Sequence, residues 1–245
     1  MTKLSKIQKK NIGLIAVHVD DVVEQDFRDL ERAIPNITFY TSRFEMAPFD
    51  DPSMLEANAA RISEATQRLV PFTPLQVIVF ACASGTAVLG FDRIKECIYN
   101  ASPYDVAVVS PLNASIEACK QLGVKRLAVV SPYDEPLNEK LLKPFNNTDI
   151  IVTSVRSLPV EKYPEFGTIK PEVVADTITQ VVKDQDPDAV LVSCTGVRAL
   201  NVLKALENQL GIPILTSNQC MFWAAIRAAG STAVSTEYGT LLRDF

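Results

Sequence analysis

Eight short runs of aliphatic and β-branched residues punctuate the chain, near 12–18, 37–40, 76–81, 106–110, 126–131, 150–155, 189–193 and 213–216. Runs such as VIVFA (77–81) and AVLVS (189–193) show no alternation of apolar and polar positions, which predicts strands covered on both faces. Between them, apolar residues recur every three to four positions. This predicts helices near 22–33, 53–69, 87–98, 113–122, 135–144, 171–184, 197–210 and 219–229. Strand and helix alternate throughout, the signature of an α/β protein built on a mainly parallel, helix-covered sheet.

Three segments recur in the same order. NIGLIAVHVDDVVEQDF (11–27) parallels KRLAVVSPYDEPLNEKL (125–141), each a strand, polar turn residues and a helix with acidic residues in its first turn. VIVFACASGT (77–86) parallels AVLVSCTGVR (189–198), each a buried strand closed by a cysteine. VAVVSPLNASIEACKQLG (106–123) parallels IPILTSNQCMFWAAIRAAG (212–230), with Ser110 and Ser217 each 13 residues before a glycine. So long a period means a duplicated domain and not a solenoid. Two similar Rossmann-like or flavodoxin-like halves related by a pseudo-twofold axis are expected, with the active site in the cleft between them. The last strand and helix repeat a segment that follows the first cysteine unit, so the C-terminus is expected to return and complete the first half. The halves are then 1–105 with 213–245, carrying Cys82, and 106–212, carrying Cys194.

Composition narrows the function. Of 245 residues 47% are hydrophobic, ample for a packed core, and the net charge of −5 offers no basic surface for nucleic acid or anionic lipid. The N-terminal KLSKIQKK reads as a solvated tail with no apolar export segment behind it, and no run reaches a membrane span, so a cytoplasmic protein is expected. Five cysteines without CxxC spacing argue against a disulfide framework or a zinc site. A single histidine, His18 at the end of the first strand, excludes an ordinary Ser-His-Asp triad. No metal or cofactor is expected; the partner is a small-molecule carboxylate, and a homo-oligomer is compatible with the sequence.

The chemistry centres on Cys82 and Cys194. An isolated cysteine at a strand end is ordinarily a small buried hydrophobe, but two at equivalent strand ends of a duplicated chain need a joint explanation. Facing each other across a cleft they form a paired acid and base, and a helix N-terminus beside each is expected to lower the thiol pKa. The turns Ala83-Ser84-Gly85 and Thr195-Gly196 offer backbone N–H groups for a carboxylate, a reading that competes with plain N-capping. Arg198 could reach a carboxylate, or lie on a solvated face. Tyr133 ends the strand that opens the second half, and Asp20 stands near the matching point of the first. Cys97, Cys119 and Cys220 fall in helices and read as packing residues.

On IGLI (12–15), ACASGT (81–86), SPYDEPLNE (131–139), SCTGVRAL (193–200), TSNQ (216–219) and AIRAAG (225–230), the chain resembles the aspartate/glutamate racemase superfamily. It is most similar to the branch of maleate cis-trans isomerases and the EutA-type proteins of ectoine utilisation. The resemblance implies a cofactor-independent isomerase, either a racemase or epimerase or a maleate-type cis-trans isomerase, with Cys82 and Cys194 as catalytic acid and base and Tyr133 on a substrate carboxylate. Arylmalonate decarboxylases have one of the two cysteines, so both together point away from decarboxylation. Where maleate isomerases read Pro-Ser-Ser-Asn after the first strand this chain reads Val17-His18-Val19-Asp20, and Tyr163 stands where a second Asn is expected. An acid at Asp20 would repel a dianion, which implies a ligand carrying an amine or amide as well as a carboxylate. The rival readings are a non-catalytic sensor using the same cleft, which would not need both thiols, and a thiol-dependent hydrolase, for which no histidine stands near either cysteine.

Overall fold

The computed structural model describes residues 9–47, 54–160 and 165–245. Two four-stranded sheets, both wholly parallel, carry the eight expected strands. The first contains β1 (Lys10–Val17), β2 (Ile37–Phe44), β3 (Val77–Ala81) and β4 (Ala107–Val109) in the order β2-β1-β3-β4. The second contains β5 (Arg126–Ser131), β6 (Ile151–Ser157), β7 (Ala189–Val192) and β8 (Ile214–Thr216) in the order β6-β5-β7-β8. The orders match strand for strand, as a duplicated unit requires.

This arrangement corrects the expected division of the chain. β4 bonds to β3, Val77 opposite Ala107, and so belongs to the first sheet; β8 bonds to β7, Val190 opposite Ile214, and belongs to the second. Each repeat thus closes its own sheet. What crosses is a helix. α9 (Ser217–Ala228) packs against β3, β4 and α1 (Val23–Ala33) of the first half, and side by side with α5 (Pro111–Gln121). α3 (Ala83–Leu89) likewise packs on α6 (Glu135–Leu142) of the second half.

The absence of alternation in the strands has its cause here. Along β1, Ile12, Leu14 and Ala16 join a core continuous through both halves, while Ile15 and Val17 join a smaller cluster on the sheet's other face with Ile62, Phe80 and Ile94. Both faces are therefore apolar. The remaining helices are α2 (Met54–Arg68), α4 (Phe91–Ala101), α7 (Pro171–Gln185), α8 (Leu203–Leu210) and α10 (Gly239–Asp244). The helix expected over 87–98 is two helices, parted at Gly90, whose φ of 82° and ψ of 148° suit glycine alone. The helix expected from 197 starts only at Leu203, after a turn and a short 3₁₀ segment at Leu200–Val202. β2 runs four residues beyond its expected end, with Ala16 opposite Arg43 and Val17 opposite Phe44. No helix among the described residues is long and apolar enough to cross a membrane.

Candidate active site

The C-terminal ends of β1, β3, β5 and β7 converge, where parallel sheets present ligand sites. Cys82 follows β3 and is the N-cap of α3. Its Sγ accepts the Gly85 N–H at 3.1 Å and lies 3.4 Å from Ser84 Oγ, while its thiol donates to Met46 Sδ at 3.5 Å. The cap is tight: a Cβ on Gly85 would fall 3.0 Å from this sulfur. Cys194 follows β7 in a turn, not at an α-helix; its Sγ accepts the Gly196 N–H at 3.4 Å and is hydrogen-bonded by the side chain of Tyr133. Ala83, Ser84, Gly85, Thr195 and Gly196 are all buried around the two sulfurs.

The two thiols sense each other and share one neighbour. Charge on Cys82 raises the pKa of Cys194, and the Asp20 carboxylate raises both. The expectation of acidic thiols is overturned: burial pushes Cys82 up to about 11 and Cys194 up to about 12, against the lowering by their hydrogen bonds. Each cysteine is only 3% exposed, and loss of water from a thiolate outweighs two weak donors.

Asp20 is equally buried. Its Oδ1 caps α1, accepting from Val22 N–H at 2.9 Å and Val23 N–H at 3.0 Å, and its Oδ2 has no hydrogen-bond partner among the described residues. The loop that carries it is pinned by Arg43 at the end of β2, whose Nη1 donates to the carbonyls of Val17, His18 and Asp20. His18 itself is exposed, with Nδ1 accepting from Met46 N–H at 3.4 Å. The backbone of Tyr133 is held by a polar cluster: Asn138 Nδ2 and Ser157 Oγ donate to its carbonyl at 3.0 and 2.8 Å, and Ser131 Oγ donates to Asn138 Oδ1 at 2.6 Å. Its ring meets Phe166 edge-on at 5.7 Å, beside a cavity of about 320 Å³ lined by Ser157, Leu158 and Val160 as well. Arg198 reaches a carboxylate of the protein itself, with its side chain part-exposed. It bridges the halves, donating to Asp21 Oδ2 at 2.7 Å and to the Gly167 carbonyl at 2.9 Å. Tyr163 lies outside the described residues.

Two buried residues that the sequence reading passed over join this region. Asn218 Nδ2 donates to Asp26 Oδ2 at 2.7 Å and to the Thr195 carbonyl at 2.9 Å. The signal for Asp26 was an acid set among Val23, Phe27 and Leu30 on the apolar stripe of α1; for Asn218 it was the TSNQ segment at the start of α9. Cys97, Cys119 and Cys220 are buried in α4, α5 and α9 respectively, with Cys119 and Cys220 near each other.

Two duplicated parallel α/β halves each bring one buried thiol to this region. The family model described as arylmalonate decarboxylase matches residues 92–242, more than half of the chain, and the chain belongs to that family, within the Asp/Glu racemase-like superfamily. Among curated relatives, the maleate isomerase of Nocardia farcinica is 24% identical over 242 residues, 96% of either chain. The arylmalonate decarboxylase of Bordetella bronchiseptica is 28% identical over 130 residues, 52% of this chain and 54% of that enzyme. Among solved structures, a Cys→Ser mutant of the N. farcinica maleate cis-trans isomerase with a covalently bound succinylcysteine intermediate superimposes with a TM-score of 0.84, at 23% identity, over 96% of this chain and 99% of that one. The fold is thus that of the maleate isomerase and arylmalonate decarboxylase structures.

Proposed function

We propose that the protein is a two-cysteine, cofactor-independent isomerase of a small carboxylate that also carries an amine or amide. The observation that carries this reading is the pair of buried thiols on equivalent strand ends, each within electrostatic reach of the other and of Asp20. We assign the thiolate to Cys82, whose sulfur has the shorter backbone donor, 3.1 Å from the Gly85 N–H against 3.4 Å from the Gly196 N–H at Cys194. The Cys82 thiolate takes the proton from the substrate α-carbon, the electron pair moves into the carboxylate, and the Cys194 thiol delivers a proton to the opposite face. Proton exchange with water then restores the pair. A thiol pushed up to about 11 by burial gives a strong base once ionised, but leaves only a small thiolate fraction at neutral pH. The first-turn N–H groups of α3 and the Tyr133 hydroxyl supply donors for the charge that develops on the carboxylate. The unpartnered Oδ2 of Asp20 favours an N–H donor on the substrate, as an amino acid or its N-acyl derivative in the cytoplasm offers, the ligand type implied for EutA-type proteins of ectoine utilisation.

A maleate-type cis-trans isomerase is the second reading, favoured by similarity to maleate isomerases along nearly the whole chain. There the Cys82 thiolate adds to one alkene carbon, Cys194 protonates the other, the new single bond rotates, and elimination returns the proton and the thiolate. Either chemistry requires both thiols. Cys82→Ser and Cys194→Ser should each lower kcat at least about a thousandfold, as members of one catalytic unit do, while Cys97→Ser, Cys119→Ser and Cys220→Ser keep most of it. Turnover of a panel of amino acids, N-acyl amino acids and maleate decides the matter. Full activity in either of the first two variants removes the assignment.

A further inference from the structure

We propose that Asp26 and Asn218 are positioning residues that set the basicity of the Cys194 thiol from the far side of a single peptide plane. The inference rests on Cys194 being one of the two reacting thiols. The geometry is specific. The peptide joining Thr195 to Gly196 presents its N–H to Cys194 Sγ at 3.4 Å and its carbonyl to Asn218 Nδ2 at 2.9 Å. Because a peptide is planar, fixing the carbonyl fixes the direction of the N–H, and drawing electron density toward the oxygen makes that N–H a stronger donor to sulfur.

Asn218 is in turn fixed by Asp26. The second proton of the same Nδ2 goes to Asp26 Oδ2 at 2.7 Å, so both donors are committed and the amide plane has one orientation. Asn218 is 1% exposed and Asp26 6%, which keeps water from replacing either bond. The three residues come from three elements: Asp26 from α1 of the first half, Asn218 from the crossing helix α9, Thr195 from the turn after β7. A side-chain amide between α1 and that turn therefore reports the placement of one half to the thiol of the other. Cys82 is held differently: its sulfur meets the Gly85 N–H and Ser84 Oγ, both within its own helix.

Asp26 also makes the support sensitive to pH. Burial raises its pKa to about 7, the Asp20 and Asp29 carboxylates add to the rise, and the Asn218 bond and Arg198 oppose it; Tyr238, from the segment before α10, faces the same carboxyl. Above that pH Asp26 is a carboxylate holding Asn218 by a charge-assisted bond, and below it the bond weakens.

The test needs no substrate. Wild type, Asn218→Ala and Asp26→Asn are treated with iodoacetamide between about pH 6 and pH 10, and modification at Cys82 and Cys194 is followed separately by peptide mass spectrometry. In Asn218→Ala, Cys194 should react about tenfold more slowly at a given pH, with Cys82 changed less than about twofold. In wild type the Cys194:Cys82 ratio should rise through neutral pH, and in Asp26→Asn, which preserves shape, that rise should vanish. Unchanged Cys194 reactivity in the folded variants, or an equal fall at both cysteines, overturns the proposal; if Asn218→Ala does not fold, the Asp26→Asn profile decides alone. Because thiol reactivity is read directly, failure here is distinguishable from failure of the isomerase reading, which shows in turnover of the cysteine variants.

Discussion

Asp20 is where a single side chain decides most about the substrate. One of its oxygens is spent on capping α1 and the other is buried without a partner among the described residues, so a carboxyl oxygen stands open to a ligand's hydrogen-bond donor. A plain dicarboxylate meets repulsion there; an ammonium or amide N–H completes the hydrogen bonding. Asp20→Asn should therefore weaken an amino acid derivative by about 1–3 kcal/mol and improve tolerance of maleate, read as opposite changes in kcat/KM for the two ligands. If wild type turns over maleate well and the variant gains nothing, the polarity argument fails. The thiols give a second expectation. Because burial holds Cys82 near 11, its thiolate is a minor species at neutral pH and its population grows about tenfold per unit. The rate of Cys82 alkylation should climb with a slope near one from about pH 7 to pH 9; a plateau beginning near pH 7 would mean an acidic thiol. The sequence placed both sulfurs at strand ends but misjudged their acidity, because local order shows a helix N-terminus and conceals how completely the halves exclude water. Asp26 and Asn218 were hidden for a related reason: they meet across 192 positions of chain.

At the scale of elements, the α3–α4 junction shows what a pattern of apolar residues leaves out. TAVLGFDRIKEC reads as one amphipathic stretch, yet the chain turns at Gly90, closing α3 through its N–H to the Thr86 carbonyl and starting α4 afresh. This break lets α3 be short, so that Cys82 caps it while α3 reaches α6 of the other half. An alanine at 90 would meet no atom within 4 Å, so its cost is backbone strain alone. Gly90→Ala should destabilise by about 1–3 kcal/mol in denaturant titrations, with Cys82 reactivity altered as α3 shifts. A neutral effect would show that the junction accommodates an ordinary residue. β2 carries the converse lesson. Its last residues, Thr41–Phe44, alternate poorly but pair in full register with β1, and that extension delivers Arg43 to three carbonyls of the Asp20 loop.

For the whole molecule, the duplication was legible because both halves retain the same punctuation, down to a cysteine after the third strand. The partition of the chain was not. Matching 106–123 with 212–230 correctly paired β4 with β8, but sequence similarity cannot say which sheet a strand joins, and only the ladders Val77–Ala107 and Val190–Ile214 do. The crossing of α9 from the second half to β3, β4 and α1 of the first makes the core continuous, so the cleft is built by both halves at once. The proposal that the two thiols face each other across it is tested most directly by solvent exchange at carbon. Single enantiomers of amino acids and N-acyl amino acids are incubated with the protein in deuterated water and followed by NMR. Two opposed thiols predict that the product enantiomer forms with deuterium at its α-carbon while the remaining substrate stays almost unlabelled, and that neither Cys82→Ser nor Cys194→Ser does this. Deuterium entering the starting enantiomer without inversion, or tight binding of a ligand that never exchanges, would contradict it.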